Sequence, residues 1–221
     1  MERIWSAIAV RFRIYWRKTK MLFYWLIIQL PFFHFIRNTR KSPVRCSLRM
    51  WFFQKVLGFN RGAYWPVHFT SKINQWQHIV IGVETNPGYE PGCYIQGLGK
   101  VFIGDYTRIA QNVGIISSNH DLYDSRKHLH DTEVRIGNYC WLGMNSVVLP
   151  GVTLGDFTIV GAGSVVTKSF SEGYCVIGGT PAKIIKYLDK AECKPYKNLP
   201  EYIGYMRKEK FEAFRKKRMW V

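Results

Sequence analysis

A short polar segment between Asn119 and Val134 carries side chains that can transfer protons or bind metal ions. It contains three histidines and three aspartates, and the candidates among them are His120, Asp121, Asp124, His128 and His130. An imidazole with an ordinary pKa near ~6.5 can take a proton from a weak nucleophile at neutral pH. The pair His128 and His130 has an HxH spacing compatible with metal binding, but we favour a solvated polar loop for this composition.

Aliphatic residues recur every six positions on both sides of this segment. The first frame contains Ile103, Ile109 and Ile115, and the second contains Ile136, Leu142, Val148, Leu154, Val160 and Val166. A period of six fits neither a helix nor a simple strand, but it suits a coil of short strands that end at corners. Three hexads then close one triangular turn, with the aliphatic residues inside and small residues beside them at the corners.

The two frames are offset by three residues, which predicts that residues 119–133 leave the coil as a loop. A surface excursion of this kind costs a solenoid little stability. Because the polar residues lie where the repeats break, this loop is the first candidate for a functional site.

Several motifs resemble those of a known enzyme family. They read NHD at 119–121, IGNYCWLG at 136–143, LPGVTLGD at 149–156, VGAGSVVTK at 160–168 and GGTPAK at 178–183. Over about residues 79–187 the chain resembles the hexapeptide-repeat acetyltransferases, especially the galactoside and maltose O-acetyltransferases and the enzymes that acetylate capsule and O-antigen polysaccharides. The resemblance implies an all-β fold, a left-handed parallel β-helix. It also implies a homotrimer with active sites between neighbouring prisms and acetyl-CoA lying along the coils.

The same resemblance implies roles for individual residues. His120 aligns with the family's catalytic histidine, the general base that deprotonates the acceptor hydroxyl. The residues expected to bind acetyl-CoA are Trp141, Met144, Ala162, Thr167, Lys168, Lys183 and Lys186. Lysines suit diffuse phosphate charge. Met144 replaces the serine common in this branch, so a side-chain hydrogen bond is not expected there.

The acceptor site departs from the family pattern. Where the galactoside enzymes carry an Asn and an Asp that hold the sugar, this chain has Glu90 and Leu98. We therefore expect a different acceptor contact, with Tyr89, Glu90, Tyr94 and Gln96 as candidates. The group that orients His120 is left open among Asp121, Asp124, Glu133 and a backbone carbonyl.

Charge divides the chain into three regions. Residues 1–65 hold 13 Lys/Arg against one Glu, residues 66–182 hold 7 against 9 Asp/Glu, and residues 183–221 hold 12 against 5. We predict a basic, aromatic N-terminal helical segment at 1–65, a β-helix domain at 66–187 and a basic C-terminal helical tail at 188–221. Basic ends imply an anionic partner.

The N-terminal segment has features of a membrane-surface element. Residues 3–20 form a basic amphipathic helix, and residues 21–36 are largely apolar but too short and interrupted to span a bilayer comfortably. We favour contact with an anionic membrane surface over packing against the core or another subunit, although the two are compatible. For residues 200–221, a membrane anchor and a trimer clasp remain equally open.

Five cysteines, an odd number without CxxC spacing, indicate reduced thiols. Cys140 lies in a repeat wall and is expected to be structural. We therefore predict a cytoplasmic protein, peripheral at the inner face of the plasma membrane.

These observations favour an acetyl-CoA-dependent O-acetyltransferase that acts on a sugar hydroxyl of a bacterial surface glycan or its lipid-linked precursor, by direct transfer and without a metal. One alternative is an N-acetyltransferase acting on an amino sugar or a xenobiotic amine. A second is a β-helix zinc carbonic anhydrase using His120, His128 and His130. A third is a non-catalytic module whose basic ends bind nucleic acid, but no nucleic-acid motif is present.

Overall fold

The computed structural model describes the backbone of residues 2–129 and 132–221 and, within these ranges, the side chains from residue 11 onward. His130 and the side chains of the predicted amphipathic helix before residue 11 lie outside the described residues. The helices are α1 (Glu2–Gln29), α2 (His34–Asn38), α3 (Leu48–Trp51) and α4 (Lys208–Arg218). Short 3₁₀ turns at Pro31–Phe33 and Trp76–His78 and a π turn at Phe52–Val56 supplement them.

Three parallel sheets form the walls of a triangular prism. Sheet A contains β1 (Lys72–Asn74), β3 (Tyr94–Gln96), β6 (Gly114–Ile116), β9 (Val147–Val148) and β12 (Val165–Val166). Sheet B contains β2 (Ile79–Ile81), β4 (Lys100–Ile103), β7 (Glu133–Ile136) and β10 (Thr153–Leu154). Sheet C contains β5 (Arg108–Ile109), β8 (Trp141–Leu142), β11 (Thr158–Val160), β13 (Cys175–Gly179) and the antiparallel β14 (Ala182–Tyr187). The chain visits A, B and C in turn, as a parallel β-helix requires. The predicted fold class, a left-handed parallel β-helix, is confirmed.

The aliphatic residues of the six-residue frames form the core. In sheet B, Ile103, Ile136 and Leu154 occupy one register row, and each is at most 3% exposed. Sheets A and C contain equivalent buried rows, one through Ile115 and Val148 and the other through Leu142 and Val160. Each apolar side chain therefore stacks on its equivalent one coil away, as the periodicity predicted.

At the prism edges the chain turns at small residues and at residues with a left-handed backbone conformation. A Cβ on Gly137 would lie 2.6 Å from the backbone nitrogen of Asp156 in the next coil, so this edge requires glycine. Asn112 has a φ of 58°, a left-handed corner conformation that asparagine tolerates. At the edge between sheets B and C, Tyr106, Tyr139 and Phe157 also have positive φ, and their rings stack at 5.4 and 4.9 Å.

The predicted insertion interrupts the third coil. It leaves β6 after Ile116 and returns at Glu133, which begins β7, so it projects from the edge between sheets A and B. The loop is tied across its base, where the Leu129 N–H donates to the Asn119 carbonyl at 2.8 Å and the Ser118 hydroxyl donates to the Leu129 carbonyl at 2.7 Å. These bonds give the loop a defined position beside the prism.

The C-terminal segment returns along the prism to its N-terminal end. Tyr196 packs on the aromatic rings at the edge between sheets B and C, 4.9 Å from Tyr106. The hairpin of β15 (Tyr202–Ile203) and β16 (Met206–Arg207) leads into α4. Buried Phe211 on α4 lies 5.5 Å from the ring of Tyr64 and closes the first coil. Apolar residues of α4 thus serve the core, while Trp220 remains exposed.

The N-terminal segment is partly packed and partly exposed. Phe33, Phe35 and Cys46 form a second small core with Tyr202, whose hydroxyl also contacts His34 and Asn38. By contrast, residues 11–26 of α1 are exposed on all sides, including Phe12, Trp16 and Trp25. No single described helix has the length and hydropathy needed to cross a membrane. The bent pair Arg11–Gln29 and Pro31–Asn38, at 91°, meets that criterion only when both parts are counted together.

Candidate active site

His120 is exposed on the inserted loop, two residues after a buried anchor point. The amide oxygen of Gln96, a buried residue of β3, accepts hydrogen bonds from the backbone N–H groups of Ser117 at 3.1 Å and Ser118 at 2.8 Å. Buried N–H groups need such partners. Gln96, predicted to contact an acceptor, therefore uses its amide oxygen to fix the start of the loop that presents His120.

The imidazole of His120 faces a second histidine. The rings of His120 and His128 lie 4.2 Å apart at 35°, and the two residues form an antiparallel bridge across the loop. His128 is only partly exposed, and its Nδ1 is buried without a hydrogen-bond partner among the described residues. The sequence pattern grouped these histidines, but only the loop conformation stacks His128 on His120.

The carboxylates considered as orienting groups for His120 are engaged elsewhere. Asp121 accepts from the backbone N–H groups of Tyr123 and Asp124, which forms a turn at the loop tip. Asp124 pairs with Arg126 at 2.8 Å, and this hydrogen bond holds the pKa of Asp124 below its usual value. Glu133 pairs in the same way with Arg135, at 2.6 Å. Among the described residues, the side chain stacked on His120 is therefore the imidazole of His128 and none of these carboxylates.

A groove of about 390 Å³ lies on sheet C near the edge that joins sheets C and A. Trp141 and Met144, two of the predicted acetyl-CoA contacts, line it together with Glu90, one of the predicted acceptor contacts. Trp141 is 54% exposed, so its ring forms part of the accessible surface of the groove. The lining also includes polar groups that the sequence pattern did not single out, namely Asn86, Arg108 and Gln111.

Two of these additional groove residues, Arg108 and Gln111, lie one coil before Trp141 and Met144. Arg108 pairs in register with Trp141 on sheet C, and its guanidinium also donates to the Glu84 carbonyl at 3.0 Å. Gln111 precedes the corner residue Asn112 and donates to the sulfur of Met144 at 3.9 Å. The sequence offered one signal for either residue. Both lie in the hexad frame one coil before the IGNYCWLG motif that contains Trp141.

The remaining predicted acetyl-CoA contacts divide between two parts of the prism. On sheet C, the register runs from Trp141 through Ile159 and Val176 to Lys186, and all these side chains point outward. Three strand spacings separate Trp141 from Lys186, about 14 Å. Lys183 lies on the same last strand, and Ala162 occupies the position equivalent to Met144 one coil further on.

Thr167 and Lys168 lie at a different edge. Both are exposed and follow β12 directly, where the chain turns from sheet A toward sheet B. This is the edge from which the His120 loop projects two coils earlier. The ammonium group of Lys168 lies over the ring of Phe170, 5.7 Å from its centre.

The other acceptor candidates also take separate positions. Tyr89 is partly buried, and burial raises the pKa of its hydroxyl, while nearby Arg45 acts in the opposite direction. Tyr94 points outward from sheet A, in register with Lys72 and Gly114. Of the four candidates, Glu90 is the one that lines the groove with Trp141.

One chain does not bring the histidine and the groove together. His120 projects from the edge between sheets A and B, while the groove lies beyond sheet A, near the next edge. One side of six residues at about 3.3 Å each spans up to roughly 20 Å. Within one chain, one face of the prism therefore separates His120 from the groove.

Cys140 is not available as a nucleophile. Its side chain is buried, its thiol lies 3.2 Å from the Gly155 carbonyl, and burial raises its pKa to about 12. The reactive thiolate is therefore essentially absent at neutral pH. A transfer step with no acyl-enzyme agrees with this burial.

Within residues 2–129 and 132–221, no group of three His, Cys, Asp or Glu side chains is arranged to hold a metal ion. His120 and His128 contribute two imidazoles, and His130 falls outside the described residues. The alternative of a zinc carbonic anhydrase is tested by measuring the metal content of the purified protein.

Comparisons with known proteins agree with the repeat pattern. Residues 133–168 match the model of the bacterial transferase hexapeptide family (six repeats). The "Putative colanic acid biosynthesis acetyltransferase WcaF" of Escherichia coli K12 is 28% identical over 105 residues, which cover 48% of this chain and 57% of that protein. The chain thus matches little more than half the length of this curated relative.

Two solved structures of similar sequence are acetyltransferases. A maltose O-acetyltransferase from Clostridium difficile 630 is 27% identical, with 54% of this chain and 66% of that chain covered and a TM-score of 0.45. A galactoside acetyltransferase in complex with coenzyme A is 25% identical, with 61% and 70% covered and a TM-score of 0.46. The predicted resemblance to hexapeptide-repeat acetyltransferases is confirmed, with the family's repeat located at residues 133–168.

Proposed function

We propose that this protein is an acetyl-CoA-dependent O-acetyltransferase that acetylates a sugar hydroxyl of a bacterial surface glycan or of its lipid-linked precursor. The observation that carries the proposal is the loop at 117–132, which breaks hexapeptide-transferase repeats to present His120 at a prism edge. The name of the Escherichia coli relative, an acetyltransferase of colanic acid biosynthesis, supports the class of acceptor.

The chemistry follows from the exposed imidazole of His120, which in the proposed assembly lies against the donor groove of a neighbouring copy. A neutral ring nitrogen of His120 takes the proton of the sugar hydroxyl while the oxygen attacks the thioester carbonyl carbon. Collapse of the tetrahedral intermediate breaks the carbon–sulfur bond, and the imidazolium returns its proton to the departing CoA thiolate. Such a general base typically contributes about 10²- to 10⁴-fold to the rate.

The outward row on sheet C is suited to acetyl-CoA. In this arrangement the thioester lies at Trp141, the extended pantetheine arm follows the row, and Lys186 and Lys183 meet the phosphates as point charges. Met144 and Ala162 place uncharged side chains along the edge of this track. Thr167 and Lys168 would approach the donor from a neighbouring copy, since they share an edge with His120.

The same reasoning supports a homotrimer. Three copies related by a threefold axis can each set the A/B edge, with His120, against the groove of the next copy, which closes the ring. Each interface would then contain one complete site. Light scattering or native mass measurement that gives a monomer under assay conditions would contradict this assembly.

We further propose that the protein is cytoplasmic and peripheral at the inner face of the plasma membrane, through α1. Exposed aromatic rings and basic residues on one unpacked helix suit a membrane interface. In sedimentation with phosphatidylglycerol vesicles, Trp16→Glu is expected to lower binding, whereas Trp220→Glu, at another exposed tryptophan, is expected to leave it unchanged. Equal losses would assign the contact to both ends of the chain.

The first experiment is a thiol-release assay with acetyl-CoA and a panel of oligosaccharides and amino sugars. His120→Ala is expected to lower turnover by at least ~10²-fold, because the hydroxyl loses its base. His68→Ala, which alters a histidine outside the loop, serves as the control and should keep full turnover. Equal turnover in wild type and His120→Ala would show that His120 is structural. Response only to amino sugars would replace hydroxyl transfer with N-acetylation.

A further inference from the structure

A second cavity, outside the candidate active site, lies between the C-terminal half of α1 and residues 36–47. Its volume is about 690 Å³. Five basic side chains line it, Arg17, Lys20, Arg37, Arg40 and Arg45, and no described lining residue is acidic. The only acidic residue in positions 1–65 is Glu2, at the far end of α1. The cavity therefore concentrates positive charge without an internal counter-charge.

Only one of these cations has an evident structural partner. The guanidinium of Arg37 donates to the Ile28 and Leu30 carbonyls at the end of α1, where a cation is favourable. Among the described residues, Arg17, Arg40 and Arg45 form no ion pair, and Lys20 only lies over the ring of Trp16. Like charges around one cavity repel each other, and a bound polyanion removes that cost.

Most of the other lining groups are apolar, with Gln29 and Ser47 as polar exceptions. Met21, Trp25 and Ile28 face the cavity from α1, and Ile36 faces it from α2. The exposed apolar surface of α1 continues from this lining toward Phe12. A ligand that satisfies the whole cavity is therefore an amphiphile, with phosphate groups for the arginines and a hydrocarbon chain for the helix.

The cavity adjoins the groove of the candidate active site. Pro43 and Val44 line the groove, while the next residues, Arg45 and Cys46, line the cavity. The Val44 carbonyl accepts from the side chain of Asn86, a groove residue, at 3.0 Å, which fixes this shared wall. A group attached to a phosphate in the cavity can thus extend over the wall into the groove.

We propose that this cavity binds the phosphate or pyrophosphate link of a lipid-linked sugar. The lipid chain lies along α1, the arginines hold the phosphates, and the attached sugar reaches the groove beside Trp141. The identification of that sugar as the acceptor rests on the proposed function, whereas binding of the phosphorylated lipid does not. The inference gives the basic N-terminal segment a specific ligand in addition to a membrane surface.

The test measures binding to the full chain without acetyl-CoA, by titration calorimetry. The probes are farnesyl pyrophosphate, farnesol and inorganic pyrophosphate. Farnesyl pyrophosphate is expected to bind at least about tenfold more tightly than either of the others. Farnesol lacks the phosphates that the arginines would hold, and inorganic pyrophosphate lacks the hydrocarbon chain that would pack on α1. Arg40→Gln/Arg45→Gln should weaken farnesyl pyrophosphate about tenfold or more, since two charge-assisted contacts are lost. Lys216→Gln/Lys217→Gln removes the same charge from α4 and should change the affinity less than twofold.

Each contrary result overturns a defined part of the inference. Equal weakening by the two double variants would mean a diffuse field and no site. Equal affinity for inorganic and farnesyl pyrophosphate would indicate a free phosphorylated compound. Loss of phosphatidylglycerol vesicle binding in Arg40→Gln/Arg45→Gln, with farnesyl pyrophosphate binding intact, would assign the cavity to bilayer headgroups. Because no step needs acetyl-CoA, failure here leaves the His120 assay unaffected.

Discussion

At the scale of single residues, the position of His120 depends on Gln96, a buried glutamine of the preceding coil. Gln96 reaches across one coil and accepts the two N–H groups that precede the loop. Thr132 secures the other end of the loop through the Ser117 carbonyl. A general base must be held within hydrogen-bond reach of its substrate, so these anchors bear directly on turnover.

Replacing Gln96 tests that dependence. Gln96→Met keeps the length of the side chain but leaves two buried N–H groups without acceptors, at about 1–3 kcal/mol each. We expect a lower melting temperature and a lower kcat, with an unchanged KM for acetyl-CoA. The control is Gln77→Met, at a glutamine whose side-chain amide makes no hydrogen bond among the described residues. A raised KM for the acceptor alone, with normal stability, would instead make Gln96 an acceptor contact.

At the scale of elements, glycines with the same place in the repeat have different importance. Gly137 and Gly161 each follow an inward aliphatic residue, Ile136 and Val160. A Cβ at Gly137 would meet the next coil's backbone at 2.6 Å, whereas at Gly161 the nearest atom is the Ile177 carbonyl oxygen at 3.4 Å. The difference arises because the chain beside Gly161 does not begin another coil but turns back into β14.

Alanine substitutions at these two positions should lower the melting temperature by different amounts. Gly137→Ala forces a backbone shift, with an expected cost of about 1–3 kcal/mol or a fall in melting temperature of roughly 3–10 °C. Gly161→Ala meets only ordinary van der Waals contact and should melt within about 1 °C of wild type. Differential scanning calorimetry of both variants decides the matter. Similar melting temperatures for the two would contradict the packing argument.

At the scale of the whole molecule, the candidate site is divided between two regions that one prism keeps apart. His120, Thr167 and Lys168 lie at one edge, and the groove with Trp141 lies beyond sheet A. A site shared between copies predicts complementation, because each of two inactive variants can supply the half that the other has lost.

Co-expression provides this test. His120→Ala removes the base, and Trp141→Asp/Ala162→Glu places carboxylates on the donor track at two exposed positions. Each is expected to be inactive alone. Random mixing in a trimer leaves about one interface in four with both halves intact, so about a quarter of wild-type activity should return. Absence of any recovery from verified mixed trimers would place the whole site within one chain.

The sequence by itself determined the wall of the prism. Its six-residue period specified which residues point inward, such as Leu142 and Leu154, and the offset between frames located the excursion that carries His120. The reason is local, since each hexad forms one strand and one corner and stacks on an equivalent hexad. The same regularity made the small corner residues predictable.

Only the tertiary structure decided what the irregular segments do. The pairing of Gln96 with Ser117, of His34 with Tyr202 and of α4 with Tyr64 joins positions that follow no common period. The basic cavity likewise exists because α1 ends beside residues 36–47, which composition alone does not reveal. A repeat carries its own register along the chain, whereas the contacts of non-repeating segments depend on the three-dimensional path between them.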